Sequence, residues 1–461
     1  MAPKFGTSGL RGLVTELTDD LVGAHVAAFL RACDTGTGLY VARDLRESSP
    51  RIADAVIGAA RAAGVDVTDC GAQPTPALAL AAMGARAGAV MVTGSHIPAD
   101  RNGLKFYTPA GEITKADEAA ILSALGAPVP GGTPGALHHA DPGPAFVARY
   151  RDAFGPGALT GRRVGVWSHS AVGRDLLIDT LAALGAEVVE IARSDTFIPV
   201  DTEAVSPDAR ALLDRAVRAQ ALDAVVSTDG DGDRPLLADA TGRVIAGDVL
   251  GQITAQTLGA RVVVTPVSSN TGVRALGFDA VHRTRIGSPH VIAAMAAARA
   301  ADPAARVVGF EANGGFLLGF EARGPAGPLP ALMTRDSHLP ILAPLVAAGD
   351  GGLAALVAAQ PARVTAADRL TEVPTDRAAA LIAALRDDPG ARDAFLRALD
   401  PAPLADTDTT DGLRLTLASG RIVHLRASGN APELRIYTEA DSSDAAQDLL
   451  RRALERVRAR L

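Results

Sequence analysis

Short runs of aliphatic and β-branched residues alternate along this chain with longer alanine-rich stretches whose apolar positions recur every three or four residues. The first pattern suits buried strands and the second suits helices, so their alternation predicts an α/β chain with mainly parallel strands. Strands are expected at 39–42, 65–67 and 89–92. A helix is expected over 50–63, opening on Pro50, which fits a first helical turn. The Pro/Gly-rich stretch 126–144 reads as a linker. A second unit opens with a strand at 163–167. The following helix places Leu177, Leu181 and Leu184 on one face, and further strands fall at 187–191 and 222–226. A third unit repeats the theme, with strands at 261–265, 280–283 and 306–310. After Arg363 the order changes. A helix is expected first, then closely spaced strands near 413–417, 422–426 and 434–437. A last helix from about Asp444 carries Leu450, Leu454, Val457 and Leu461 as its apolar stripe. This end of the chain reads as α+β with an antiparallel sheet.

Composition narrows the field. The 461 residues are 48% hydrophobic with a net charge of −7, enough apolar material for several cores. The acidic balance argues against a nucleic-acid partner recruited through phosphate charge. No apolar run approaches a membrane span, and residues 1–6 lack the charged-then-apolar layout of a secretion signal. Cys33 and Cys70 are too few for a disulfide framework, so a reducing cytoplasm is the expected compartment. Of 45 basic residues only Lys4, Lys105 and Lys115 are lysines. Lysine, unlike arginine, surrenders its proton in a suitable site, so a lysine inside a chemical motif stands out.

Three of the predicted strands run into polar loops. Residues 89–92 lead into Thr93-Gly94-Ser95-His96-Ile97-Pro98, 222–226 into Asp229-Gly230-Asp231-Gly232-Asp233-Arg234, and 306–310 into Glu311-Ala312-Asn313-Gly314-Gly315. Open α/β sheets bind ligands beyond the carboxyl ends of their strands. Asp229, Asp231 and Asp233 pack three negative charges into five residues, which calls for a hard divalent cation. An EF-hand is excluded, because its sixth and twelfth positions would be Arg234 and Ala240. Magnesium awaiting a phosphate oxygen fits better, with Arg234 as a phosphate contact. Ser95 is a candidate nucleophile, although its surroundings are not a hydrolase elbow. His96 adjoins it, and Lys105 lies ten residues on as a candidate proton carrier. Glu311 and Asn313 suit sugar hydroxyls. Near the C-terminus Arg426-Ala427-Ser428-Gly429-Asn430-Ala431-Pro432, with Arg435, makes an anion nest. Residues 4–12, containing Arg11, form another Gly/hydroxyl/Arg segment.

In this order GTSGLRG at 6–12, TGSHIP at 93–98, DGDGDR at 229–234, FEANGG at 310–315 and RASGNAP at 426–432 resemble the α-D-phosphohexomutase family over nearly the whole chain. The resemblance implies four domains around a cleft, three related α/β domains and a C-terminal α+β domain, here 1–140, 141–248, 249–362 and 363–461. It implies that Ser95 carries a phosphoryl group. Asp229, Asp231 and Asp233 would hold Mg2+ with an oxygen of phosphorylated Ser95. Lys105 and Arg11 would serve the transfer, Glu311 would read the sugar's hydroxyls, and Arg426, Ser428 and Asn430 would grip the substrate's phosphate. The residues themselves add His96 as a catalytic candidate, Arg234 and Asn313 as substrate contacts, and Gly429 and Arg435 at the phosphate. His290, in Gly287-Ser288-Pro289-His290, falls where the family places specificity or proton-transfer residues. Gly94, Ile97, Asn313 and Asn430 stand where the family more often has alanine, asparagine, serine and threonine.

The implied activity is isomerisation of a hexose 1-phosphate to its 6-phosphate through a hexose 1,6-bisphosphate, which also serves as activator. Mannose phosphates are the expected pair, with glucose and glucosamine phosphates as alternatives. A non-catalytic phosphosugar-binding protein is the alternative of another class, and the intact Ser95, Lys105 and aspartate set count against it. No nucleic acid or membrane partner is expected, and the oligomeric state is expected to be a monomer or homodimer.

Overall fold

The computed structural model describes residues 3–6, 9–127, 132–428 and 432–461. The chain divides into two compact units, one of residues 1–264 and 287–359, the other of residues 265–286 and 360–461.

Among the described residues the first unit holds three larger sheets and the two-stranded pair of Ala322–Arg323 with Pro328–Leu329. In the first, the parallel strands Leu39–Arg43, Gly88–Val92, Val67–Ala72 and Leu137–His139 are extended by Arg101–Thr108 and Leu10–Leu13, which run antiparallel. Lys4–Phe5 pairs antiparallel with Leu10–Leu13 and forms the edge of the sheet. Gly88–Val92 is buried along its whole length, as expected of a strand covered on both faces by the helices of a βαβ array. The second sheet orders Glu187–Arg193, Arg163–His169 and Ala224–Thr228 in parallel, then returns along Pro235–Asp239. In the third, Val262–Pro266 runs parallel to Val307–Phe310, followed by the antiparallel Phe316–Leu318 and Leu332–Asp336.

The second unit is built on an antiparallel sheet of Val364–Thr371, Glu433–Ala440, Ile422–Ala427, Leu413–Leu417 and Leu404–Asp408. Helices Thr375–Asp387, Pro389–Arg397 and Ser443–Arg458 bury their apolar faces on it. The segment 265–286 joins this unit through Glu439. Its Oε1 accepts hydrogen bonds from the Thr271 backbone N–H at 2.9 Å and from Arg363 Nε at 2.6 Å, and Arg414 approaches its other oxygen.

Three local expectations need correction. The strand expected at 65–67 begins at Val67 and runs to Ala72, because residues 64–66 are the turn leaving helix Ser49–Ala62. The linker at 126–144 contains the short strand Leu137–His139 and the start of helix Gly143–Phe154. After Arg363 comes the strand Val364–Thr371, not a helix. Ala366 and Leu370 face the core while Asp368 and Arg369 interrupt the apolar alternation, and register with Glu433–Ala440 supplies the pairing that the local sequence does not announce. Among the described residues no single helix is long and apolar enough to cross a membrane.

Candidate active site

The loop after Gly88–Val92 brings Ser95 to a fully buried position with φ +54°, a left-handed backbone that few non-glycine residues adopt. The Ser95 N–H donates to Thr93 Oγ1 at 2.7 Å, and its hydroxyl donates to Asp229 Oδ2 at 2.6 Å. Asp229 opens the loop between Ala224–Thr228 and the returning strand Pro235–Asp239. Its other oxygen accepts the backbone N–H groups of Asp233 and Arg234, which closes the loop on itself. Gly230 approaches the Ser95 carbonyl so closely that a Cβ would lie 2.7 Å from it. A side chain at that position would push the two loops apart.

Asp229, Asp231 and Asp233 each offer an oxygen within 4.8 Å of the others, and all three residues are buried. Lys105, on Arg101–Thr108, places Nζ 2.5 Å from Asp231 Oδ2 and 2.5 Å from Asp233 Oδ2. Thr75 Oγ1 also donates to Asp231 Oδ2 at 2.7 Å. Asp231 Oδ1 and Asp233 Oδ1 are buried without a hydrogen-bond partner. Two orphaned carboxylate oxygens in an oxygen-only donor set fit a hard divalent cation. Burial pushes the Asp229 carboxyl above its usual range, and the two neighbouring carboxylates add to the shift. Burial acts the same way on Asp231, but the Lys105 ammonium and its hydrogen bond outweigh it and hold that carboxyl below the usual range.

Arg234 donates from Nη1 to His96 Nδ1 at 2.9 Å, and His96 Nδ1 lies 3.4 Å from Ser95 Oγ. The charge of Arg234, reinforced by burial, depresses the His96 imidazolium far below its usual range. The ring is therefore neutral and its Nδ1 lone pair is committed to Arg234, so Asp229, not His96, is the acceptor for the Ser95 hydroxyl. Arg11, half-buried on Leu10–Leu13, has its pKa lowered to about 10 by burial and by Arg234.

Strand Val307–Phe310 delivers Glu311, buried and raised above its usual range by desolvation against the pull of Arg335 and Arg234. Asn313 turns its Oδ1 back onto the Gly315 N–H at 3.0 Å, which shapes the loop. His290 sits in the first turn of helix Ser288–Ala301. In the second unit, Arg426 Nε donates to Asp411 Oδ2 at 2.9 Å, the Ser428 N–H donates to the Glu433 carbonyl, and Arg435 pairs with Glu433. Arg426 and Arg435 are direct cross-strand neighbours, and Arg369 stands opposite Arg435 on its other side. Like charges facing each other across strands oppose pairing, and here Asp411 and Glu433 offset them, with Arg369 also within reach of Glu433. Gly429 and Asn430 lie outside the described residues.

Sequence reasoning missed Arg335. From Leu332–Asp336 its guanidinium reaches Asp233 Oδ2 at 2.9 Å, Glu311 Oε2 at 3.5 Å and Glu112 Oε2 at 3.9 Å. Glu112 in turn accepts from the buried Ser288 hydroxyl. The only signal available was an arginine before Asp336-Ser337 at a strand end, one arginine among many.

A phosphoglucomutase/phosphomannomutase α/β/α domain I model matches residues 2–127, domain II matches 149–242, and the C-terminal domain matches 363–456. The chain is 45% identical over 470 residues to a phosphomannomutase of Sinorhizobium fredii, covering 98% of each chain. It is 41% identical to a phosphomannomutase of Salmonella muenchen, covering 99% of this chain and 96% of that one. A phosphoglucosamine mutase of Kineococcus radiotolerans is 31% identical with full coverage of both. Among solved structures, a phosphoglucomutase/phosphomannomutase family protein from Burkholderia thailandensis superposes with a TM-score of 0.77 at 22% identity, over 99% of this chain and 96% of that one. An Aspergillus fumigatus N-acetylphosphoglucosamine mutase in complex with GlcNAc-6P and magnesium superposes with a TM-score of 0.58 at 15% identity, over 100% and 96%. The chain belongs to the phosphoglucomutase/phosphomannomutase family, the α-D-phosphohexomutases. It is accordingly a mutase, an isomerase acting on phosphosugars.

Proposed function

We propose that this protein is a phosphomannomutase, interconverting mannose 1-phosphate and mannose 6-phosphate through phosphorylated Ser95 and a hexose 1,6-bisphosphate. The observation that carries the reading is the Ser95 hydroxyl held 2.6 Å from Asp229 inside a buried carboxylate set with two orphaned oxygens. Identity favours mannose, at 45% to a phosphomannomutase against 31% to a phosphoglucosamine mutase.

The free hydroxyl of the 1-phosphate attacks the phosphorus on Ser95. A new O–P bond forms as the Ser95 Oγ–P bond breaks, the substrate hydroxyl loses its proton, and the serine oxygen regains one. The bisphosphate then presents its other phosphate, which returns to Ser95 by the same exchange and leaves the 6-phosphate. Lys105 is the proton carrier nearest the carboxylates, and Arg11 and Arg234 neutralise charge on the moving group. His96 orients Arg234. Glu311, with Arg335 beside it, reads sugar hydroxyls, and Asn313 shapes its loop. Arg426, Ser428, Gly429, Asn430 and Arg435 grip the resting phosphate, and His290 stands ready as a further sugar or proton contact. Mg2+ held by Asp229, Asp231 and Asp233 would supply positive charge to the phosphoryl oxygens. Hexose 1,6-bisphosphate primes Ser95. The four-domain division at 140, 248 and 362, action as a monomer or homodimer, and a cytoplasmic setting complete the reading.

The test supplies magnesium, a trace of hexose 1,6-bisphosphate and mannose, glucose or glucosamine 1-phosphate in parallel, and measures the 6-phosphate formed. Preferential turnover of the mannose ester supports the proposal. Equal turnover of glucose removes the narrow specificity, and no turnover on any sugar with Ser95 unphosphorylated removes the function.

A further inference from the structure

Arg46 is a fully buried arginine that the transfer chemistry does not use. It lies just past strand Leu39–Arg43, and its guanidinium is enclosed by the loop that carries Ser95. Nη2 donates to the carbonyls of Ser95 at 2.9 Å and Ile97 at 2.6 Å, while Nη1 donates to those of Pro98 at 2.7 Å and Arg101 at 3.0 Å. Nε donates to Asp44 Oδ2 at 3.1 Å. The whole planar fork is thus engaged, with three of its bonds on the Ser95 loop and one on Arg101, where the following strand begins. Asp44 also accepts the Thr93 hydroxyl at 2.7 Å, and Thr93 Oγ1 accepts the Ser95 N–H, so a second path from the same pair reaches the nucleophile. The ring of Phe197 covers the guanidinium at 4.0 Å, and a Cβ on Gly230 of the aspartate loop would meet that same ring at 3.0 Å.

Gly94 completes the arrangement. A Cβ there would lie 2.6 Å from Arg46 Cζ and 2.8 Å from Nε and Nη2. A long side chain end normally moves aside, but this one is fixed by its hydrogen bonds and by Phe197. An alanine at 94 would require the guanidinium or the loop around it to shift.

We propose that Arg46 is a positioning residue for phosphoryl transfer, holding the left-handed turn at Ser95 in register with Asp229, and that Gly94 is the clearance its guanidinium requires. The inference rests on Ser95 being the phosphoryl carrier. On the nucleophile loop Arg46 touches only backbone carbonyls, and it hydrogen-bonds to none of Asp229, Asp231, Asp233 or Glu311, so its loss acts through where Ser95 Oγ sits. A misplacement of a reacting atom by about 1 Å costs on the order of 100-fold in rate.

The test measures phosphorylation of Ser95 by labelled hexose 1,6-bisphosphate, together with kcat and KM, in wild type, Arg46→Lys, Arg46→Met, Gly94→Ala and the double variant Gly94→Ala with Arg46→Lys. Thermal unfolding serves as the control for folding. Each single variant is expected to lose on the order of 10- to 100-fold in labelling rate and kcat with KM changed less than about threefold. Because the Gly94→Ala clash is with the guanidinium, the double variant is expected to be no slower than Arg46→Lys alone. Wild-type labelling with equal labelling of the folded Arg46 variants overturns the positioning role. Losses that multiply in the double variant overturn the role of Gly94. If Arg46→Met does not fold, Gly94→Ala, which keeps every hydrogen-bonding group, decides the matter by its kcat against KM. A wild-type protein that takes no label at Ser95 overturns the mutase reading itself and this inference with it.

Discussion

Arg335 Nη2 lies 2.9 Å from Asp233 Oδ2, and the same guanidinium faces Glu311. One buried cation therefore joins a carboxylate of the aspartate loop to the carboxylate expected to read the sugar. Removing it leaves Asp233, Glu311 and Glu112 facing one another in a dry environment. Arg335→Met should lower the unfolding free energy by about 3–5 kcal/mol, the cost typical of stripping one partner from a buried ion pair. Urea unfolding checks this, and an unchanged midpoint would show that solvent or other groups carry the charge.

The orphaned oxygens of Asp231 and Asp233 make the fold a reporter of cation binding. Magnesium at a hundred times its dissociation constant should add about 2.7 kcal/mol to stability, and a chelator should remove that gain. Asp231→Asn should abolish the response. A melting temperature indifferent to magnesium in the wild type would argue against a cation site at this triad.

His96 accepts a hydrogen bond from Arg234 and is held neutral by that charge. His96→Asn, which keeps an acceptor for the Arg234 guanidinium, should retain activity within about tenfold, whereas His96→Ala, which removes it, should lose more. Equal losses in the two variants would mean that the ring does something other than orient Arg234.

Three buried histidines give the fold a defined acid sensitivity. Burial lowers His169, His338 and His424 from 6.5 to about 4. Below pH 6.5 the unfolded chain binds protons on these histidines that the folded chain refuses, so their contribution to stability falls as pH drops from about 6.5 to about 4 and is constant above, while desolvation that raises Glu203 to about 7 acts in the opposite direction. Each histidine contributes a slope of at most about 1.4 kcal/mol per pH unit in that window. His424 belongs to the second unit and the other two to the first, so both should weaken. Urea midpoints at pH 7 and pH 5 provide the check, and identical values would contradict it.

The loops that hold Ser95, the aspartates and Glu311 were legible because glycine, charge and hydroxyl groups crowd together at strand ends, a pattern with few uses other than binding. The α/β alternation was legible from apolar periodicity. Arg46, Arg335 and Glu112 were not. Each is a single charged residue on or beside an ordinary strand, and in a chain where nearly every basic residue is arginine, neither Arg46 nor Arg335 stands out. Their roles arise from strands that meet only after folding. The strand after Arg363 escaped for a related reason, since its partner lies some seventy residues further on.

The left-handed backbone at Ser95 sets two selective pressures against each other at one residue. An L-amino acid held there costs roughly 1–2 kcal/mol, which glycine would largely avoid and asparagine would tolerate. Of these three only serine offers a hydroxyl. Laboratory evolution for heat resistance alone should therefore drift toward glycine or asparagine at this position and yield sturdier proteins that no longer turn over sugar. Recovery of serine under a joint screen for stability and turnover would mark the point at which activity outweighs robustness.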